Sequence, residues 1–313
     1  MATDTRAQHG AAGYAAGPVT KAPAWHGLVA CDLLFNNLAT GLFLTEALGE
    51  LAAPEVFRPL AKVAYPLALL FLVVDLLCLV LDLGDPLRFH HMLRVFKPTS
   101  PMSLGTWCLA VYSLPLTAAA ALSLLPGGWP ALEWVRKAAV ILGLLPALGS
   151  AAYKGVLLST NAQPGWRDAR WMGGYLTSSA LMLGCAGLLG LSVLMGQERA
   201  SVVLRPALVL TLVLNALVLS LLLAELRGSL RHIFAPPQLG HLGLLALGGG
   251  MLAPLCLLLA GDGAAVLLAV VLLLVLGSLA IRFVIVKIPH ALMDQPRGNG
   301  LAVDGNRPAM QRA

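Results

Sequence analysis

Eight long apolar runs dominate the chain, at about 28–48, 60–83, 104–125, 138–159, 173–196, 202–226, 239–260 and 263–287. Each matches the roughly 20 residues that a helix needs to cross the hydrocarbon of a bilayer. In that medium every backbone polar group must be satisfied internally, which restricts spanning structures to helices and closed barrels. The sequence therefore predicts an all-α membrane protein with eight transmembrane helices, and because eight is even, both termini lie on one side. With 58% hydrophobic and 12% charged residues, the chain has more apolar side chain than one globular core would bury.

The organisation expected from this pattern is one transmembrane domain over 26–290 between two tails. Residues 1–25 are rich in Ala, Gly and polar groups and have neither an apolar core nor a small-residue cleavage site, so they read as a mobile N-terminal tail, not a signal peptide. Residues 291–313 read as a flexible C-terminal tail. No soluble domain is expected at either end, so chemistry outside the membrane is assigned to a partner. The partners expected are the lipid bilayer and other subunits, with no nucleic acid.

Polar residues are distributed unevenly. Arg58, Lys62, Arg136, Lys137, Arg199 and Arg205 fall on the side away from the termini, leaving fifteen of the 21 basic residues on the termini side. Positive-inside logic alone would make that side cytoplasmic. All seven histidines (His9, His26, His90, His91, His232, His241, His290) lie on the termini side or at a helix end facing it. Two stacked b-type haems would require axial histidines at two depths, and this chain has no far pair. The five cysteines occur singly inside apolar runs, which disfavours clusters, zinc and disulfides and leaves them as small hydrophobes.

Ionisable residues inside the hydrocarbon are costly and are functional candidates by default. Asp32, Asn36 and Thr40 share one stripe of the first helix. Asp75 and Asp82 share a face of the second, roughly 10 Å apart in depth. Glu225 and Arg282 complete a candidate proton path with Asp32 and Asp75. Arg282 is the expected counter-charge to Asp75, as part of a conduit or as a static ion pair. Lys154, Glu225 and Lys287 are near enough to helix ends to snorkel instead, and amides such as Asn36 also serve simply to bond neighbouring helices. Proline inside the helices at Pro66, Pro115, Pro146 and Pro254 permits kinks.

The most polar internal stretch is "DLGDPLRFHHMLRVFKPTSPMSLGTW", Asp82 to Trp107. Gly84 and Pro86 give a helix stop and a rigid turn, and Ser100 is a natural N-cap for the third helix. Caps do not explain His90 and His91 lying between two arginines. This loop resembles the DLGxPxRF…SPMSxGxW signature of the NrfD-type family, the polysulfide-reductase-like membrane subunits of bacterial respiratory complexes. The first helix, Phe35-Asn36-Asn37-Leu38-Ala39-Thr40-Gly41, is similar to that family's Gly-rich helix, with Asn37 where Gly is common. Tyr153-Lys154-Gly155-Val156-Leu157-Leu158, followed by Pro164 and Trp166, resembles its Tyr-x-Gly-x-Leu-Leu stretch.

The resemblance implies two four-helix bundles in a bacterial inner (cytoplasmic) membrane, crossed in multiple passes. It implies a menaquinone or ubiquinone pocket in the first bundle, with no haem and no iron–sulfur cluster in this chain. The expected partner is a ferredoxin-like multi-cluster iron–sulfur subunit, with a molybdopterin subunit or c-type cytochrome beyond it. Quinol oxidation requires hydrogen-bond partners for both ring oxygens and a proton acceptor. His90, His91 and Tyr153 are the candidate catalytic residues, and Asn36, Asp82, Arg88, Phe89, Trp107 and Tyr153 the candidate quinone contacts. A docked acidic partner would neutralise the loop's cations, so the expected side for the loop is periplasmic despite the charge bias. The competing readings are a proton-coupled transporter using Asp32, Asp75, Glu225 and Arg282, and a purely structural membrane anchor.

Overall fold

The computed structural model describes residues 27–83, 85–125, 130–161, 163 and 165–294. All regular structure among the described residues is helical, with eight helices long and apolar enough to cross a membrane and no strands. They are α1 (Gly27–Ala52), α2 (Pro54–Leu81), α3 (Pro101–Leu124), α4 (Pro130–Ser159), α5 (Met172–Leu194), α6 (Glu198–Ile233), a composite α7 and α8 (Ala264–Asp294). The eight runs in the sequence each correspond to one of these. The tail proposed for 1–25, residues 295–313 of the tail proposed for 291–313, and the Gly84 stop lie outside the described residues, whereas 291–294 are not tail but the last turn of α8.

Proline accounts for the irregular seventh span. Pro254 has no N–H to offer the carbonyl four residues back, and its ring would crowd that carbonyl. The chain responds with a π-helical segment, Leu244–Leu252, between Pro236–Gly243 and Ala253–Ala260, and the Ala253 N–H bonds five residues back to Gly248. At the other loops the caps follow the sequence. Ser100 Oγ accepts from the Ser103 N–H at 3.4 Å and Pro101 opens α3.

The helices α1 and α5 are the most buried spans and lie against each other. Gly41 and Gly184 allow this: a Cβ at either would run into the other helix's backbone. Such small residues govern close helix approach in membranes, where apolar burial gives no preference for protein over lipid. Asn37 reinforces the joint by donating to the Leu176 carbonyl at 2.8 Å. Around this pair, α2 packs on α1, α6 packs on α5, and α4 and α8 each contact both; α3 lies against α2 and α4, and the π segment of α7 against α8. Leu70, Leu114, Leu142, Leu145, Leu210 and Leu259 point outward, a surface suited to lipid tails.

Candidate functional site

Where α1, α2 and α4 converge near the termini side, three charged side chains meet. Lys154 Nζ lies 2.7 Å from Asp32 Oδ1 and 2.5 Å from Asp75 Oδ1, and all three residues are buried. Asn36 lies beside them: its Nδ2 is 3.2 Å from Asp75 Oδ2 and 3.1 Å from Ser150 Oγ. The helical repeat explains the assembly. Asp32 and Asn36 are one turn apart on α1, as are Ser150 and Lys154 on α4, so two neighbouring helices each present two polar positions to Asp75.

A cavity of about 90 Å³ adjoins this cluster, lined by Asp32, Lys154, Tyr153 and Asp82, with Met92 and Met102 from the loop and the start of α3. Tyr153 is almost fully buried, and its ring packs so closely on Gly105 that any Cβ there would collide with it. The Lys154 ammonium sits 5.8 Å from the centre of that ring. Asp82, expected to share a face with Asp75, lines this cavity on the loop side. Asp75 lies in the hydrogen-bonded network with Lys154 and Asn36.

The basic loop forms a 3₁₀ helix, Pro86–Leu93, in which no residue is buried. Arg88 pairs with Asp85 at 3.0 Å, and His90 Nδ1 is 2.9 Å from the Leu87 carbonyl. His91 stacks on His90 at 4.2 Å between ring centres and meets Arg94 at 3.3 Å. Phe89 lies edge-on to His90 and is half-exposed; Trp107 meets Phe96. None of Arg88, Phe89, His90, His91 and Trp107 lines the cavity. The quinone contacts and the catalytic residues expected from sequence thus divide. Asp82 and Tyr153 border the cavity, Asn36 stands behind its charged wall, and the loop residues form an outer surface.

Arg282 does not reach Asp75. It is fully buried among α5 and α8, where it donates to Ser179 Oγ at 3.0 Å and to the Ser278 carbonyl at 2.9 Å, near the Tyr175 ring. Lys154 takes the counter-charge role expected of Arg282. Glu225 accepts from the Trp171 backbone N–H at 3.1 Å, a helix-end contact remote from Asp32 and Asp75. The four residues of the expected proton path are therefore not one group: Asp32 and Asp75 are together, and Glu225 and Arg282 occupy separate places.

A second buried charged group lies in the opposite half of the membrane and is not among the residues selected from sequence. Glu50 pairs with Arg136 at 2.5 Å and accepts from the Tyr65 hydroxyl at 3.0 Å. Glu46, one turn away, is fully buried, and neither of its carboxyl oxygens has a hydrogen-bond partner among the described residues. Nearer the surface, Glu133 pairs with Arg58 and, at 3.4 Å, with Lys137. The signal was present in the sequence, since Glu46 and Glu50 extend the polar face of α1 beyond Thr40.

These features define a class: a polytopic helical membrane protein with an internal ion cluster, beside a small cavity, under an exposed basic loop. The family is given by comparison. Residues 16–292 match the NrfD-type family described as polysulfide reductase, and the chain belongs to that family. No curated protein sequence matches it.

Proposed function

We propose that the chain is the quinone-reactive membrane subunit of a bacterial respiratory oxidoreductase complex and that the cavity beside Lys154 receives the polar edge of the quinone ring. The observation carrying this reading is the junction of Tyr153, Asp32, Lys154 and Asp82 at one cavity. The donor set fits. A ring carbonyl requires a donor, which Tyr153 or Lys154 offers, and a ring hydroxyl requires an acceptor, which Asp32 or Asp82 offers. A bound quinol supplies two electrons and two protons on oxidation.

Within this reading Tyr153 orients the ring and Lys154 holds the two carboxylates in place. Asp32 would take one proton at its carboxyl oxygens and Asp82 the other, on the loop side, while the two electrons would leave to the iron–sulfur partner docked on the loop. Binding pockets for small molecules typically enclose about 300–1,000 Å³, so entry requires side chains to give way. Met92 and Met102 are suited to that, being unbranched and adaptable.

The exposed loop supports docking of an iron–sulfur partner. Leu87, Phe89, Val95 and Phe96 are solvent-facing there beside Arg88, Arg94 and Lys97, an apolar patch with basic groups of the kind that marks a protein interface. The partner would be acidic and would neutralise the loop.

Photo-crosslinking with an azido-quinone in membranes tests the assignment. Label is expected on peptides containing Tyr153 or Met102, with competition by menaquinone or ubiquinone. Labelling confined to α6–α8, or none, would overturn it. Replacement of Arg88 and Arg94 by Glu is expected to abolish co-purification of the iron–sulfur partner while the chain itself still inserts.

A further inference from the structure

A larger cavity lies elsewhere, between α6, α7 and α8 in the half of the membrane nearest the termini. Its volume is about 720 Å³, and it is lined by side chains from Leu219 to Phe234 of α6, Leu239 to Ala246 of α7 and Ala280 to Ile288 of α8. Near the cavity α6 and α7 scarcely touch, although a two-residue turn joins them. The wall is apolar except at one end, where Arg227 and Arg231 project. Those arginines are one helical turn apart, exposed, and paired with no carboxylate among the described residues. The nearest acidic side chain along α6, Glu225, is engaged with the Trp171 N–H.

We propose that this groove is a binding site for an anionic phospholipid, with an acyl chain between α6 and α7 and the phosphate held by Arg227 and Arg231. Three observations lead there. From Leu219 to Leu230 the lining rises roughly 16 Å along α6, about half of the ~30 Å hydrocarbon thickness, which is the depth of one leaflet. Polarity is confined to the end nearest the membrane surface, where a lipid headgroup lies. Two like charges at i and i+4 repel, so a shared anion relieves a conflict that the protein leaves in place. Basic pockets between transmembrane helices are a recognised mode of headgroup binding. A quinone fits less well, because it needs polar partners at both ends of its ring and the apolar end offers none.

The site is separate from the cavity at Lys154, and the inference does not rest on the quinone reading. The test uses the full chain in detergent, titrated with phosphatidylglycerol or phosphatidylcholine and followed by native mass spectrometry. Wild type is expected to retain phosphatidylglycerol preferentially. Arg227→Gln with Arg231→Gln is expected to weaken that retention by about thirtyfold, the factor equivalent to two interfacial cations at about 1 kcal/mol each. A second variant keeps both cations and fills the groove. A Cβ at Gly243 meets only open space, so Gly243→Phe is expected to fold and to lose the lipid. Equal retention of the two lipids, unchanged retention in either variant, or release of a quinone in place of phospholipid would overturn the proposal.

Discussion

Lys154→Met isolates what holds the charged cluster together. Lys154 Nζ serves Asp32 Oδ1 at 2.7 Å, Asp75 Oδ1 at 2.5 Å and the Asp32 carbonyl at 3.4 Å. Met, also unbranched and one heavy atom shorter, fills most of the same space and removes the cation, leaving two buried carboxyl groups facing each other. Breaking a buried pair from one side costs about 3–5 kcal/mol, because the remaining charge is uncompensated. Asp75→Asn perturbs the same place differently. Lys154 keeps Asp32 as its counter-ion, so no buried charge is left unpaired, and the main loss is the charge-assisted contact from Lys154 to Asp75, about 1.5–3 kcal/mol, with a weaker Asn36 contact beside it. Neutralising all three residues together, Asp32→Asn, Asp75→Asn and Lys154→Met, is expected to recover most of the lost stability, since buried ion groups are often replaceable by neutral ones, while quinol turnover stays low. Denaturant titration of the purified variants in one detergent, read by tryptophan fluorescence, gives the stabilities. A Lys154→Met protein as stable as wild type, or an Asp75→Asn protein equally damaged, would refute the reasoning.

Tyr153→Phe removes one hydroxyl from the cavity and is expected to weaken quinone-analogue binding by about 0.5–1.5 kcal/mol, measured by competition with the photolabel; identical affinity would remove Tyr153 from the site. Gly41→Leu places a side chain against the α5 backbone and is expected to cost about 1–3 kcal/mol by overpacking, seen as a lower unfolding midpoint. Trp166→Phe deletes the bond from the indole N–H to the Ile285 carbonyl, 2.8 Å long and fully buried. The expected loss is about 0.5–1.5 kcal/mol, with faster proteolysis between α4 and α5 as the accessible readout.

Hydropathy and length carried most of the fold, because a spanning helix is set by its own segment and the bilayer. The caps were local too, and Ser100 performs as its neighbours Pro101 and Ser103 suggest. Partner choice between helices was not legible. Lys154 lies five residues before the end of α4, a distance compatible with snorkelling, and only the rotation of α4 against α1 and α2 turns it inward. Asp75 and Arg282 looked complementary in charge, yet α2 and α8 present those residues to different neighbours. Glu50 and Arg136 were lost for a different reason: each lies just past the apolar window that delimited its helix, so the windowing excluded the charges that pair there. Pro254 was visible, but the π-helical segment before it depends on how the chain absorbs a missing N–H.

The two buried charged groups stand on one helix at different depths, Asp32 and Glu46 being roughly 21 Å apart along α1. What lies between them bears on proton movement. The Thr40 hydroxyl donates to the Asn36 carbonyl at 2.7 Å, and the Tyr112 hydroxyl donates to the Ala39 carbonyl at 3.0 Å. Both protons are therefore committed to the backbone of α1 and do not link one side chain to the next. Beyond them Phe43 packs against Tyr112 and Tyr65, with ring centres 5.3 and 5.7 Å away, forming an aromatic layer before Glu46. A proton leaving the Lys154 cluster finds an acceptor on the loop side at Asp82, across the cavity they share. Movement in the other direction requires water, or rotation of those hydroxyls, within a layer that is closely packed. On this geometry, proton release from the proposed quinone site is expected to run to the loop side. Coupling to the far half is expected to require water within the Phe43 layer, since bridging waters carry hydrogen bonds where side chains do not meet.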